Sequence, residues 1–436
     1  MNKQVYDLLG VGIGPFNLSL AALLDPISEV NAIFLEQKPQ FNWHSGLLLE
    51  AATIQVPFLA DLVTMADPRS RFTFLNYLRE HSRLYNFYFL EESKIYRREY
   101  NHYCQWVTQQ LSNSCQFGKN VEAIAWNDEG YFSVTAKDQE TKDTITYNAK
   151  HLAIGVGSKA AIPECLRKLG KQDNIFHSGQ FLHRKEQWKN AKSVTVVGSG
   201  QSAGETFYEL LNAQADYGYH LEWHTRSAGF FPMEYSKLGL EHFSPDYTEY
   251  FYNLPIEKRD KIRSGQNLLY KGMDYNLISD IYNRLYELSI AGKKLDVRLR
   301  SSLEVKEATL TANGYRLGCR ELQQDYYFEH ETDCVVLATG YSHKTPEFFE
   351  PLQSLIEWDY QDRYCVNLDY RLKLTRSLPN SIFIQNGELH THGIGAPDLG
   401  LGAHRSSIII NTLLNRDIYP IAQKNVFQEF GVSSHE

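Results

Sequence analysis

Two strand–turn–helix units rich in glycine constrain the fold of this 436-residue chain more than any other feature. In the first, an apolar strand over residues 5–11 leads into the turn GVGIGPFN (residues 10–17) and an apolar helix over residues 18–24. In the second, a strand over residues 193–197 leads into GSGQSAG (residues 198–204) and a helix over residues 205–211. Such a turn holds a pyrophosphate against a helix N-terminus. The repeat predicts an α/β fold with two Rossmann-like dinucleotide-binding domains.

The first turn has the features that a bound dinucleotide requires. Gly10 makes the tight turn, and Gly12 has no side chain, so a pyrophosphate can approach the backbone. A second strand, over residues 32–35, ends at Glu36, where a carboxylate can accept a hydrogen bond from a ribose hydroxyl. The residues predicted to hold this cofactor are Gly10, Gly12, Gly14, Pro15, Asn17, Glu36 and Gln37.

The second turn differs at the ribose position. The strand over residues 221–224 is followed by Thr225-Arg226-Ser227 and has no acid there. An arginine can bind a 2′-phosphate through a charge-assisted pair of hydrogen bonds, which favours NADPH over NADH. The alternative is that Arg226 is an ordinary surface arginine. The residues predicted to bind a cofactor at this turn are Gly198, Gly200, Gln201, Ser202 and Arg226, and Thr339 and Gly340 are also predicted to bind a cofactor. One site that ends in an acid and one that ends in an arginine together indicate bound FAD and exchangeable NADPH.

The remaining segments suggest how the chain is divided. Residues 1–165 and 341–436 are predicted to form the FAD-binding domain, and residues 166–234 and 293–340 the NADPH-binding domain. Two apolar strands ending in small residues, HLAIGVG (151–157) and DCVVLATG (333–340), are expected where the chain passes between the domains. Residues 235–292 show helical spacing and many tyrosines, and are predicted to form a small helical segment that covers the substrate.

Composition excludes several classes of protein. With 44 Lys and Arg against 52 Asp and Glu, the net charge of −8 argues against a nucleic-acid binder. No apolar run is long enough to span a bilayer. The six cysteines are scattered without a CxxC, which indicates reduced thiols in the cytoplasm and argues against a dithiol reductase.

Six segments carry a resemblance to a known family. They are GVGIGPFNLSLAAL (10–23), NWHSGLLLEAATIQVPFLADLVTMADPRSRFTFLNYL (42–78), RREYNHYCQW (97–106), VTVVGSGQSAGE (194–205), VVLATGY (335–341) and HTHGIGAPDLGLGAHRS (390–406). In this order they cover nearly the whole chain. The sequence resembles the microbial N-hydroxylating flavin monooxygenases, the lysine and ornithine N-monooxygenases that make hydroxamate siderophore precursors.

The resemblance implies a mechanism and site residues. NADPH would reduce FAD, O2 would then give a C4a-hydroperoxyflavin protected by bound NADP⁺, and the neutral substrate amine would attack its distal oxygen. The residues implied along the flavin are Trp43, His44, Gln55, Asn386 and Leu399, of which Gln55 and Asn386 are the implied catalytic residues. Ordinary packing is the alternative for the first three. Members of the family are usually homodimers or homotetramers.

Departures from the family pattern point to the substrate. The amino-acid hydroxylases read FLKDL, with a lysine thought to bind the substrate α-carboxylate, whereas this chain reads FLADL with Ala60. Leu240 and Asp274 stand where the ornithine enzymes have asparagines, and Gly400 stands where they have serine. A cation and two amides are lost and a carboxylate is gained, which fits a diamine, putrescine or cadaverine.

The residues expected to contact this diamine are Ala60, Glu241, Asp274, Asn386 and Gly400, with Asp274 or Glu241 holding the distal ammonium. Three alternatives stay open. Asp274 could simply begin a helix, another cation such as Lys237 could reach a carboxylate, and the enzyme could then be an L-lysine N6- or L-ornithine N5-monooxygenase. A protein that keeps the fold without turnover is disfavoured because neither the glycines nor Arg226 is lost.

Overall fold

The computed structural model describes residues 4–432. The strands within that range are β1 (Val5–Val11), β2 (Ala32–Glu36), β3 (Thr53–Pro57), β4 (Lys94–Tyr96), β5 (Cys115–Phe117), β6 (Lys119–Trp126), β7 (Phe132–Asp138), β8 (Thr144–Ile154), β9 (Lys159–Ala160), β10 (Ile175–His177), β11 (Ser193–Val197), β12 (His220–His224), β13 (Val297–Arg300), β14 (Leu303–Thr311), β15 (Gly314–Glu321), β16 (Tyr326–Thr332), β17 (Cys334–Leu337), β18 (Tyr341–Ser342) and β19 (Ile382–Ile384).

The α-helices of the same range are α1 (Pro15–Leu24), α2 (Phe74–Glu80), α3 (Leu84–Leu90), α4 (Arg97–Gln110), α5 (Glu164–Arg167), α6 (Lys185–Lys189), α7 (Gln201–Tyr217), α8 (Lys237–Leu240), α9 (Pro245–Tyr252), α10 (Ile256–Gly265), α11 (Asn267–Tyr270), α12 (Tyr275–Leu288), α13 (Leu389–His392) and α14 (Gly402–Leu414). None of these helices combines the length and apolar character needed to cross a membrane.

The larger sheet is built from both ends of the chain. Its order is β5-β2-β1-β8-β7-β6, and β19, far along the chain, pairs in parallel with β8. Strand β1 lies between β2 and β8, parallel to both. Leu8 and Leu9 on opposite faces of β1 are both fully buried, which is typical of a central parallel strand covered on both sides. The first glycine turn therefore begins at the carboxyl edge of a central strand.

The second sheet has the order β10-β17-β11-β12-β13, with every neighbouring pair parallel. The second glycine turn follows its central strand β11. The chain passes from the first sheet to the second after β8 and returns after β17, and the two crossing segments pair as β9 and β18. The two Rossmann-like sheets are as the sequence predicted.

Three features differ from or extend the sequence prediction. An antiparallel sheet, β14-β15-β16, adjoins the second parallel sheet and was not predicted. Helix α1 begins at Pro15 and α7 at Gln201, each a few residues earlier than expected, because proline or a polar residue fits the first turn of a helix. Residues 235–292 contain helices α8–α12, as expected, and in α12 Ile281 is buried while Tyr282 and Tyr286 are exposed.

Candidate active site

The first glycine turn is held in a shape that only glycine adopts easily. Gly12 has a positive φ of 86°, and a Cβ there would lie 2.6 Å from the carbonyl oxygen of Gly155 at the end of β8. Gly14 precedes α1 in extended conformation, and no side chain caps the N–H groups of the first helical turn. Those free N–H groups and the positive end of the helix dipole face the turn, as phosphate binding requires.

A buried amide network holds this turn from beneath. The Nδ2 atom of Asn17 donates to the carbonyl oxygens of Gly12 at 2.8 Å, Val11 at 3.1 Å and Ala153 at 3.2 Å. Its Oδ1 atom accepts a 2.6 Å hydrogen bond from Gln385, just after β19. Asn17 therefore shapes the turn instead of facing a ligand. Gln385 was missed by the sequence analysis, because nothing near it in the chain links it to the turn.

Glu36 lies beside the same turn, at the end of β2. One oxygen of its carboxylate accepts from the backbone N–H of Ile13 at 2.9 Å, and the other accepts from that of Lys38 at 3.0 Å. The next residue, Gln37, is exposed. The carboxylate is thus fixed at the end of β2, beside the glycine turn, which is where a carboxylate binds the ribose in dinucleotide-binding folds.

The second turn repeats this arrangement. Gly198 has φ 135°, and a Cβ there would lie 2.1 Å from the carbonyl oxygen of Ala338. Gly200 precedes α7, which begins with Gln201 and Ser202 and has no side-chain cap. Arg226 follows β12, is exposed, and forms no ion pair with any residue of 4–432. Its guanidinium is free to bind an anion.

Thr339 and Gly340 lie at the return crossing. The Thr339 hydroxyl donates to the carbonyl oxygen of Ala161 at 2.5 Å, and Gly340 has a positive φ of 84°. The Gly340 carbonyl oxygen contacts the ring Nε2 of His177 at 3.0 Å. These contacts hold the return crossing against the outgoing crossing segment and against the end of β10.

Trp43 and His44 form an aromatic pair between the two sheets. Their ring centroids are 4.4 Å apart, and Trp43 also packs edge-on against Tyr100 at 5.3 Å. Burial lowers the pKa of His44 to about 4, assisted by the positive charge of Arg97. The imidazole is therefore neutral at physiological pH. Nearby Leu399 packs partly buried against the same apolar core.

Gln55, on β3, is held by two side chains that sequence analysis did not identify. Its Oε1 atom accepts from the Tyr235 hydroxyl at 3.2 Å and from Lys94 Nζ at 3.4 Å. Lys94 also forms a 2.5 Å ion pair with Asp274, which begins α12 and whose other oxygen accepts from the N–H of Asn276. The Asp274 carboxylate thus already has a cation and a helix N-terminus as partners.

A second chain of contacts joins this region to the NADPH-type sheet. The Gln201 side chain accepts from the Asp274 N–H at 2.8 Å and donates to Glu205 at 2.9 Å. Glu205 forms a buried, two-pronged ion pair with Arg97 at 2.7 and 2.8 Å. The guanidinium of Arg97 also donates to the carbonyl oxygen of Leu47 at 2.8 Å. Gln201, predicted to bind a cofactor, therefore also positions α12.

Ala60 and Gly400 face each other across a short gap. Ala60 is buried, and its methyl lies 3.9 Å from the point where a Gly400 Cβ would stand. The same point is 2.8 Å from Oδ1 of Asp398, which accepts a 2.7 Å hydrogen bond from the Gly400 N–H. Burial raises the pKa of Asp398 to about 6, although the Gly400 N–H and the charge of Arg405 favour its ionised form.

The structure separates the other predicted substrate residues. Glu241 accepts from the backbone N–H groups of Phe427 and Gln428, at 3.1 and 2.9 Å, and these hydrogen bonds lower its pKa. Its expected position beside Asp274 is not supported by any hydrogen bond between the two within residues 4–432. Leu240 is 41% exposed, and the alternative cation Lys237 is exposed.

Asn386 has an unused hydrogen-bond acceptor that a bound ligand could satisfy. Its φ is +58°, and its buried Oδ1 has no hydrogen-bond partner among residues 4–432. It lines a small cleft at the ends of β8 and β19, together with Ile154 and Gln385. Two uncapped helix N-termini, a fixed carboxylate, a free arginine and this unpaired oxygen fit the binding of two dinucleotides.

Comparisons with known proteins give a consistent picture. The family model for L-lysine 6-monooxygenase/L-ornithine 5-monooxygenase matches residues 4–343. The chain is 42% identical to the putrescine N-hydroxylase of Shewanella oneidensis, over 99% of this chain and 85% of the relative.

Two solved structures are similar along almost the whole chain. The FAD-bound crystal structure of a cadaverine monooxygenase of desferrioxamine biosynthesis from Erwinia amylovora has a TM-score of 0.94 at 39% identity, covering 99% of this chain and 100% of that one. The ornithine N-hydroxylase of Kutzneria sp. 744, with reduced FAD, NADP⁺ and L-ornithine, has a TM-score of 0.88 at 27% identity, covering 94% and 99%.

Proposed function

The chain belongs to the L-lysine 6-monooxygenase/L-ornithine 5-monooxygenase family, and from this premise we propose that it N-hydroxylates an aliphatic diamine, putrescine or cadaverine. One primary amine, one O2, one NADPH and one proton give one hydroxylamine, one NADP⁺ and one water. NADPH supplies the two electrons that reduce the second oxygen atom. The hydroxylamine is the precursor of a hydroxamate siderophore.

The two glycine turns are the proposed cofactor sites. FAD is held by the first turn, with Glu36 on a ribose, and NADPH by the second, with Arg226 on the 2′-phosphate. Bound flavin supplies the oxygen-activating redox chemistry that no amino-acid side chain provides. The FAD-bound and NADP⁺-bound relatives support both assignments.

The residues around the flavin face provide shielding and orientation. Trp43 carries no charge, and the low pKa of His44 keeps its imidazole neutral, so neither side chain brings a charge to this place. Gln55 is fixed in one orientation by Tyr235 and Lys94, so its amide can align the reacting group. The substrate amine must be neutral to attack oxygen, although a free alkylamine has a pKa near 10.4, and exclusion of water favours the neutral form.

The main support for a diamine substrate is that Ala60 and Gly400, which adjoin each other, have no charged side chain. Neither residue can bind a carboxylate, and no cation is paired with the adjacent Asp398 among residues 4–432. A substrate carboxylate placed there would lose its hydration without gaining a partner, which is costly in a buried site. A diamine has no carboxylate to desolvate. The names of relatives 39–42% identical support the same choice.

One observation favours the alternative of L-lysine or L-ornithine as substrate. Lys94 places a cation 3.4 Å from Gln55, where sequence analysis had considered only Lys237. If Lys94 left Asp274, it could bind an α-carboxylate.

The decisive experiment measures hydroxylamine formed by the FAD-loaded enzyme with NADPH from putrescine, cadaverine, L-lysine and L-ornithine at equal concentration. NADPH consumption alone is insufficient because uncoupled flavin makes peroxide. Product from a diamine at least tenfold faster than from either amino acid supports the proposal. Equal or faster product from an amino acid overturns it, and Lys94→Met then tests the alternative, because only a carboxylate-bearing substrate would lose binding.

The assembly and location follow the family resemblance. We propose a homodimer or homotetramer in the cytoplasm, in keeping with six cysteines that are all unpaired.

A further inference from the structure

We propose that Asp398 is the residue that binds the distal ammonium of the diamine and so sets the preference for a diamine. This inference rests on the proposed function, and it replaces Asp274 and Glu241 in that role by a carboxylate that the sequence analysis did not single out.

The geometry opens the Asp398 carboxylate toward the space between Ala60 and Gly400. One point, the Cβ position absent at Gly400, lies 2.8 Å from Asp398 Oδ1 and 3.9 Å from the Ala60 methyl. A serine or any larger residue at position 400 would contact the carboxylate, and a long side chain at position 60 would fill the same space. Two small residues therefore leave the Asp398 carboxylate uncovered on this side, and Asp398 itself is half-buried.

The other acids of this region already have partners. Asp274 is paired with Lys94 at 2.5 Å, and Glu241 accepts three hydrogen bonds from the segment that contains Phe427. Glu388 is fully buried and paired with Arg405 at 3.1 Å. Asp398, in contrast, forms no ion pair with any residue of 4–432, and the one hydrogen bond of its carboxylate within that range comes from the Gly400 N–H.

The surroundings of Asp398 make an unpaired carboxylate a strong site for a cation. Asp398 is half-buried, and burial disfavours its ionised form. An ammonium would supply a charged partner where screening by water is reduced and a charge-assisted hydrogen bond is stronger. Tyr235 lies within electrostatic reach of this acid. Burial raises the pKa of the Tyr235 hydroxyl, with smaller contributions from the carboxylates of Asp274 and Asp398, and this hydroxyl donates to Gln55.

The test compares the wild type with Asp398→Asn, using the FAD-loaded enzyme and two substrate pairs: putrescine with butylamine, and cadaverine with pentylamine. The amide keeps an oxygen that can accept from Gly400, so the local turn is preserved. Asp128→Asn is the matched control, because Asp128 is an exposed aspartate in the turn between β6 and β7. Hydroxylamine formation gives kcat/KM, calorimetry gives the Kd of each diamine, and flavin absorbance gives FAD content.

We expect Asp398→Asn to lower the ratio of diamine to monoamine kcat/KM about 30-fold or more and to weaken diamine binding similarly, with Asp128→Asn unchanged. An unchanged ratio and Kd in a variant that retains FAD would overturn the role of Asp398, leaving diamine hydroxylation intact. A change confined to FAD content or thermal stability would also overturn it and would assign Asp398 a structural role. If the wild type hydroxylates no diamine, the proposed function itself fails.

Discussion

The buried ion pair between Arg97 and Glu205 offers the sharpest test of how the two halves of the enzyme are joined. Arg97 begins α4 beside the first sheet, and Glu205 lies on α7 of the second. Their side chains are 10% and 4% exposed, and two hydrogen bonds of 2.8 and 2.7 Å join them. Arg97→Ala leaves Glu205 with only Gln201, at 2.9 Å, and leaves the carbonyl of Leu47 without this donor.

Removing one partner of a buried ion pair costs about 3–5 kcal/mol, because the other charge stays desolvated. For domains of this size the midpoint of thermal unfolding should fall by about 10 °C. This midpoint is measured by circular dichroism and flavin fluorescence while the FAD-loaded enzyme is heated. The unfolding midpoint of Arg97→Lys should lie between those of the wild type and Arg97→Ala, since a lysine cannot form the two-pronged contact. The double variant Arg97→Met, Glu205→Leu should recover most of the midpoint lost in Arg97→Ala, because it leaves no unpaired buried charge. A midpoint for Arg97→Ala within 2 °C of wild type would refute the reasoning.

Three further predictions address the cofactor sites and the substrate carboxylate. Arg226→Ala should lower kcat/KM for NADPH about 10- to 100-fold and leave that for NADH nearly unchanged; equal effects on both would remove the 2′-phosphate assignment. Gly12→Ala should yield enzyme with little bound FAD, because its Cβ would stand 2.6 Å from the Gly155 oxygen; a normal flavin-to-protein ratio contradicts this. Because the pKa of Asp398 is raised to about 6, its charge is present above that pH and lost below it, so kcat/KM for a diamine should fall as pH drops through 6. The monoamine profile is the control, and an identical limb for both would argue against Asp398.

Much of the fold could be predicted because its signals are local. Each glycine turn sits between an apolar strand and a helix, and both strands were found at the predicted residues, whereas both helices begin a few residues earlier. The antiparallel sheet β14-β15-β16 was missed because two of its three strands, β14 and β16, consist mostly of partly buried and exposed residues, and Leu310 and Tyr326 are exposed. A pattern of this kind is hard to distinguish from a loop-rich surface.

The substrate site was harder to predict because it depends on which charges pair. The sequence reveals that Ala60 has replaced a lysine of the family pattern, but not that Lys94 pairs with Asp274 from far along the chain. It also cannot show that Glu241 is engaged by the C-terminal segment. Asp398 lies in the segment over residues 390–406 that carries the family resemblance, and its charge within an apolar, glycine-rich run was the available signal.

The balance of charge then explains why a diamine suits this site better than an amino acid. The two cations, Lys94 and Arg405, are paired with Asp274 and Glu388, which leaves the Asp398 carboxylate as the one excess charge among these five residues. A diamine with a neutral reacting amine carries one positive charge, whereas lysine or ornithine with a neutral side-chain amine carries an ammonium and a carboxylate that cancel. An ammonium 4 Å from Asp398 gains about 4 kcal/mol at an effective dielectric constant of 20. A neighbouring carboxylate would lose much of that gain. Discrimination therefore follows from one unpaired carboxylate and the absence of the cation that an amino acid needs.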